Sequence, residues 1–136
     1  MRLVVDTDVV AAILLGQSAR CDEAVQLIRS SSELLVPSHF RAELGNVIWK
    51  SVVLGGYPAD QIEALLAAAE ALSITVVDVG ELWRGALARA IAAKHPVYDT
   101  LFVELAVRES IPMASFDRPL RRRFPTIVKA PRELLA

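Results

Sequence analysis

Four carboxylates fall where the chain could use them together: Asp6, Glu43, Asp99 and Asp117. Asp6 closes the apolar run Leu3-Val4-Val5, and Asp117 follows Pro112-Met113-Ala114-Ser115-Phe116. Glu43 lies early in the helical segment that opens at Phe40, and Asp99 opens the apolar segment that runs to Glu109. Uncompensated carboxylates crowded together repel, and some must take up protons. A hard divalent cation resolves that conflict, because Mg²⁺ and Mn²⁺ prefer oxygen ligands. Such an ion suits phosphoryl chemistry, in which it polarises the phosphate and acidifies water.

Each acid also has a plainer reading. Asp6 or Asp8 could cap the helix that follows the first apolar run. Asp99 could cap its own helix, and Asp117, before Arg118-Pro119, could make an Asx turn. Glu43 fits a structural role least. On a helical wheel it sits beside Phe40 and Val47, at the margin of an apolar stripe, where an unpaired carboxylate is costly. Asn46, three residues on, could support it. His39 and His95 form no pair at metal-ligand spacing and read as structural, so zinc has little support. Cys21 reads as a structural thiol, and one cysteine excludes both an internal disulfide and a cysteine zinc cage.

The elements that must carry these acids can be read from periodicity. Leu3–Val5, Leu34–Val36, Ile74–Val77, Pro112–Phe116 and Thr126–Val128 are short apolar runs with no polar alternation, and read as buried strands. Helices are expected over Val9–Leu15, Asp22–Arg29, Phe40–Leu54, Pro58–Leu72, Glu81–Ala93 and Asp99–Glu109. Gly16 and Gly55-Gly56 act as stops, and Pro58 as a start. Strands alternating with helices predict an α/β sandwich around a mostly parallel sheet, buried on both faces. Ligands in such sheets bind beyond the carboxyl ends of the strands, where Asp6 and Asp117 fall.

At 136 residues, 54% hydrophobic and 23% charged, the chain fits one folded domain over 1–136. The N-terminus shows no leader pattern, and the most apolar windows are shorter than a membrane span, so a cytoplasmic protein without membrane attachment is expected. The net charge of −1 argues at first against a nucleic-acid partner. Setting the four acids aside leaves twelve acids against 15 bases, and Arg118, Arg121, Arg122 and Arg123 cluster late. That cluster is either a solvated helical turn or a phosphate-contacting patch.

Val-Val-Asp6-Thr7, Glu43 within Phe40–Asn46, Tyr98-Asp99-Thr100-Leu101-Phe102-Val103-Glu104-Leu105-Ala106 and Ala114-Ser115-Phe116-Asp117 together resemble the PIN domain. More narrowly, they resemble the VapC-like toxin ribonucleases of toxin–antitoxin pairs. The resemblance covers essentially the whole chain. It implies a three-layer fold with a five-stranded sheet in the order 3-2-1-4-5, and Mg²⁺- or Mn²⁺-dependent endonucleolytic cleavage of RNA. Asp6, Asp99 and Asp117 would match metal ligands, and Glu43 the residue that positions or deprotonates the attacking water. Thr7 and Ser115 match hydroxyl positions that support the acids. The resemblance also implies a homodimer and a cognate antitoxin partner. Two departures stand out: Asp8 replaces the family's usual Ser or Asn, and Ser115 stands where Thr is common.

Two rivals remain. Asp6-x-Asp8 after an apolar strand resembles the nucleophile motif of haloacid-dehalogenase-like phosphatases, but Lys94 and Lys129 are poorly placed for that chemistry and Glu43 is left without a role. The other rival is a non-catalytic PIN-like module that binds RNA or a partner. It predicts erosion of the acidic set, which is intact here.

Overall fold

The computed structural model describes residues 1–16 and 18–136. Strands β1 (Arg2–Val5), β2 (Glu33–Pro37), β3 (Ile74–Val77), β4 (Met113–Ala114) and β5 (Val128–Lys129) form one sheet. All its pairings are parallel, which sharpens the mostly parallel sheet read from the apolar runs, and the order is β3-β2-β1-β4-β5, as the family resemblance implies. Helices α1 (Thr7–Leu15), α2 (Ser18–Ser30), α3 (Phe40–Val53), α4 (Ile62–Glu70), α5 (Val79–Ala93), α6 (Val97–Glu109), α7 (Arg118–Arg123) and α8 (Pro131–Leu135) flank it, with one 3₁₀ turn at Ala59–Gln61.

The central strands are apolar at successive positions because both of their faces are covered. Leu3, Val4, Val5 and Met113 are all fully buried. The expectation of a sheet buried on both faces fails at β3. This strand lies at the edge, where Thr75 is exposed and Val76 is 49% exposed. An edge strand lacks a second neighbour to shield it, so its β-branched run reflects backbone preference as much as burial.

Boundaries differ at several points. Helix α2 begins at Ser18 rather than Asp22, and α6 begins at Val97 rather than Asp99. Strand β5 is displaced to Val128–Lys129. The arginine cluster forms the short helix α7, opened by Asp117 and carrying Pro119 in its first turn. Gly16 ends α1 at φ 64°, a left-handed conformation that glycine adopts without a Cβ penalty.

Register places the site. Val5 pairs with Ala114, and the amide of Asp6 donates to the Ala114 carbonyl at 2.9 Å. The next residue on each strand, Asp6 on one and Ser115 on the other, therefore meets its neighbour where both strands end. Helix α6 packs on β1 and β2, its Phe102 fully buried, and carries Asp99 in its first turn.

An ion-pair latch joins α5 to α6. Glu104, 7% exposed, accepts from Arg89 Nε at 2.8 Å and from Arg108 Nε at 2.9 Å. Burial works to raise the pKa of Glu104, but the two guanidinium partners outweigh it and hold the carboxyl below the ordinary range. The space for this carboxylate comes from Gly85 on α5, where a Cβ would collide with it. A helix-interior Gly→Ala change ordinarily stabilises by about 1 kcal/mol. Gly85→Ala is instead expected to destabilise by about 1–2 kcal/mol, because the added methyl overpacks a pinned carboxylate. Urea or thermal unfolding of the two chains checks the sign.

Candidate active site

The sheet ends and the helices that follow them bring the predicted residues to one cavity of about 380 Å³. Asp6, Thr7, Asp8, Glu43, Asn46, Asp99 and Asp117 all line it. Ser115, fully buried, stands directly behind it. Asp78, which also follows a strand, caps α5 and lies outside this lining.

Asp6 both caps a helix and faces the cavity. It is the N-cap of α1, and one carboxylate oxygen accepts from the Thr7 amide at 2.8 Å. Its other oxygen accepts from Ser115 Oγ at 2.7 Å. Asp8 therefore does not cap its own helix. It reaches across to the β4–α7 junction and accepts from the Phe116 amide at 3.1 Å. Asp117 caps α7, accepting from the Leu120 amide at 3.3 Å, while its own amide donates to Ser115 Oγ at 3.0 Å. Ser115 thus ties the first and last acids of the set together.

Glu43 sits in the first turn of α3 and is held from α1, where Thr7 Oγ1 donates to it at 2.9 Å. Its side chain is 28% exposed, in keeping with the half-buried margin read from the helical wheel. His39 Nε2 lies 3.7 Å from Glu43 and donates to the Tyr98 carbonyl at 2.9 Å.

Two contacts were not foreseen. His95 Nε2 donates to Asp99 Oδ2 at 2.8 Å, with the ring packed edge-on to Phe124. The i, i+4 spacing of His95 and Asp99 was visible in the sequence, but it gains meaning only once a helix start is known to lie between them. Arg20 lines the cavity from α2, its guanidinium 5.0 Å from the centroid of the Phe116 ring. No local signal marks Arg20, which is brought here only by the packing of α2.

The electrostatics follow from burial and crowding. Asp6 is 7% exposed, and among the described residues no Lys, Arg or His forms an ion pair with Asp6, Asp8 or Asp117. Burial pushes the Asp6 pKa well above the usual carboxylate range; the Asp8 and Asp99 charges add to this, and the Ser115 and Thr7 hydrogen bonds oppose it. Asp8 is pushed up to about 6, first by burial and then by Asp117, against the Phe116 amide and Arg20. Glu43 is raised by burial and by Asp99, partly offset by Thr7 and His39.

This ordered set of acids on this sheet matches a known family over most of the chain: the PIN domain pattern aligns with residues 3–123. The chain belongs to the PIN domain family. A curated relative of this PIN domain is "Ribonuclease VapC3" of Pyrobaculum aerophilum, 27% identical over 130 residues that cover 94% of this chain and 98% of the relative. The fold is similar to the crystal structure of PAE2754 from Pyrobaculum aerophilum, with TM-score 0.73 and 19% identity over 99% of this chain and 87% of that one. It is also similar to a toxin–antitoxin complex from Klebsiella pneumoniae, with TM-score 0.65 and 14% identity over 95% and 97% of the two chains.

The donor set of this PIN domain fits a hard divalent cation: every group is a carboxylate, and the most buried of them has no basic partner among the described residues. As the side chains stand, no three His, Cys, Asp or Glu residues among those described enclose a single point; hydrogen bonds hold Asp99 to His95, Asp8 to the Phe116 amide and Asp117 to the Leu120 amide. Among the described residues the cavity carries no lysine, which counts against the phosphatase reading.

Raised carboxyl pKa values make the native state bind more protons than the unfolded chain, so stability falls as pH rises through the folded values. The groups with lowered values, Glu33 and Glu104, act oppositely and lose their contribution only below about pH 4.5. In chelator-treated buffer the melting temperature is therefore expected to fall between about pH 5 and pH 7. Asp8→Asn should flatten that slope and stabilise the chain at pH 7 by about 2 kcal/mol. Calorimetry across the pH range checks both.

Proposed function

We propose that this PIN domain is a divalent-metal-dependent endoribonuclease, hydrolysing RNA phosphodiester bonds as the toxin half of a toxin–antitoxin pair. One observation carries the reading: Asp6, Glu43, Asp99 and Asp117, from four separate segments, face one cavity at the carboxyl end of the sheet. The name of the curated relative, a ribonuclease, supports RNA as substrate. The Klebsiella toxin–antitoxin complex of the same fold supports an antitoxin partner.

Asp6, Asp99 and Asp117 would hold Mg²⁺ or Mn²⁺. When bound, the ion supplies neutralisation of the phosphate and acidification of water. The protein residues do the rest. Glu43 accepts the proton of the attacking water, a role suited to a carboxylate that faces the cavity and whose pKa burial raises above the ordinary range. Thr7 fixes the orientation of Glu43 through its hydroxyl, and Ser115 and the Thr7 amide fix both oxygens of Asp6. His95 fixes Asp99. Asp8 holds the β4–α7 junction that carries Asp117. Asn46, read from the sequence as support for Glu43, lies exposed in the lining of the same cavity.

The deciding assay incubates purified protein with structured RNAs in Mg²⁺, in Mn²⁺ and in EDTA. Cleavage is expected only with metal, and Asp6→Asn and Asp99→Asn are each expected to lower it by about 100-fold or more, equivalent to losing about 3 kcal/mol of transition-state stabilisation. Cleavage that persists in EDTA, or in both variants, would rule out the metal-carboxylate mechanism. Phosphate trapped on Asp6 would favour the phosphatase.

The reading includes a homodimer. It is supported by an unpartnered stripe on α5, where Trp83, Leu87 and Ile91 recur at helical spacing and are 50%, 41% and 70% exposed. Light scattering is expected to give a dimer mass for the native chain and a monomer mass for Leu87→Asp/Ile91→Asp.

A further inference from the structure

The charge of this chain is divided in space. Six of its 15 basic residues lie within 118–132, a stretch that contains no acid, while the other nine bases face all 16 acids. The fold gathers most of that stretch around one concavity. Arg118, Arg121 and Arg122 of α7, Lys129 of β5 and Arg132 of α8 line a depression of about 530 Å³, with Glu133 the one acid among the described residues of its lining. Glu133 does not neutralise it. Its carboxylate is 51% exposed, lies 3.9 Å from Arg121 Nη1 and also accepts from the Ala130 amide at 3.2 Å. Arg121 Nε is buried and has no partner among the described residues. Lys129 Nζ donates to the Pro125 carbonyl at 2.6 Å, which fixes its charge at the wall rather than cancelling it.

We infer that this concavity is a second anion site, which holds the backbone phosphates of an RNA strand whose scissile bond lies at the acidic cavity. The identity of the strand rests on the ribonuclease reading above. Three features favour a nucleic-acid backbone. Guanidinium groups match phosphate oxygens in bidentate geometry, and four of the five cations are arginines. The site starts beside the acids, since Arg118 directly follows Asp117 and Arg121 and Arg122 lie about one helical turn, ~5.4 Å, further on. A strongly acidic cavity also repels a polyanion. A basic site next to it, on a chain of net charge −1, supplies the attraction that the catalytic acids cannot.

The test measures binding without turnover. A 5′-labelled single-stranded RNA is titrated with the full chain in EDTA by fluorescence anisotropy, at several KCl concentrations. Arg122→Gln/Arg132→Gln alters two exposed side chains and should leave the melting temperature unchanged. It is expected to weaken binding about tenfold near 50 mM salt and to make the plot of log K against log salt shallower by about 1.4, for two lost phosphate contacts. Arg122→Lys/Arg132→Lys keeps the charges and is expected to retain the native slope. Native affinity and slope in the Gln pair would overturn the proposal. So would patch-dependent binding of labelled polyglutamate with no such dependence for RNA, which would point to an acidic protein segment instead. Cleavage of RNA together with patch-independent binding defeats this inference alone. Patch-dependent binding without cleavage defeats the nuclease reading alone.

Discussion

The buried carboxylate of Asp6 is the constraint around which the site is organised. It sits where β1 ends and α1 begins, with one oxygen on the Thr7 amide and the other on the Ser115 hydroxyl. Two hydrogen bonds lower the cost of burying that charge without cancelling it, because no cation stands against it among the described residues. Ser115 in turn receives the Asp117 amide, so a single hydroxyl couples two acids that are 111 positions apart in the sequence. A site assembled in this way carries stored repulsion, which opposes folding above the raised carboxyl pKa values and favours a bound cation.

The remainder of the structure keeps these acids where they are. Parallel pairing brings β1 and β4 to the same end of the sheet, and α6 delivers Asp99 from a helix clamped to α5 through Glu104, Arg89 and Arg108. A buried ion pair of this kind is weak evidence for net stability; what it fixes is local, since the Glu104 carboxylate packs against Gly85, where a Cβ would collide with it. The bases gather elsewhere, on α7, β5 and α8, so the molecule presents an acidic cavity beside a basic depression.

Much of this was legible in the residues. The apolar runs located the strands, and four of the five strand positions overlap the observed ones closely; β5 was misplaced by its short length, which leaves little periodicity to read. Glu43 was recognisable because a carboxylate at the edge of an apolar stripe needs a reason to be there, and Thr7 with the cavity provides it. Asp8 was ambiguous for a physical reason. Both Asp6 and Asp8 suit a cap, and the choice depends on Phe116, more than a hundred residues away. His95 and Arg20 were missed because neither has a chemical signature until a helix start or a neighbouring helix places it beside an acid.

The sequence by itself determined the central strands, most of the helices, the acidic set and its asymmetry of charge, because those depend on local periodicity, propensity and composition. The tertiary structure decided which acids share a cavity, which one is buried and which are held by hydroxyls or histidine. It also decided that five cations converge where the sequence showed only a run of arginines. These outcomes depend on parallel strand register and helix packing between distant segments, and a carboxylate's pKa responds to neighbours in space rather than in the chain.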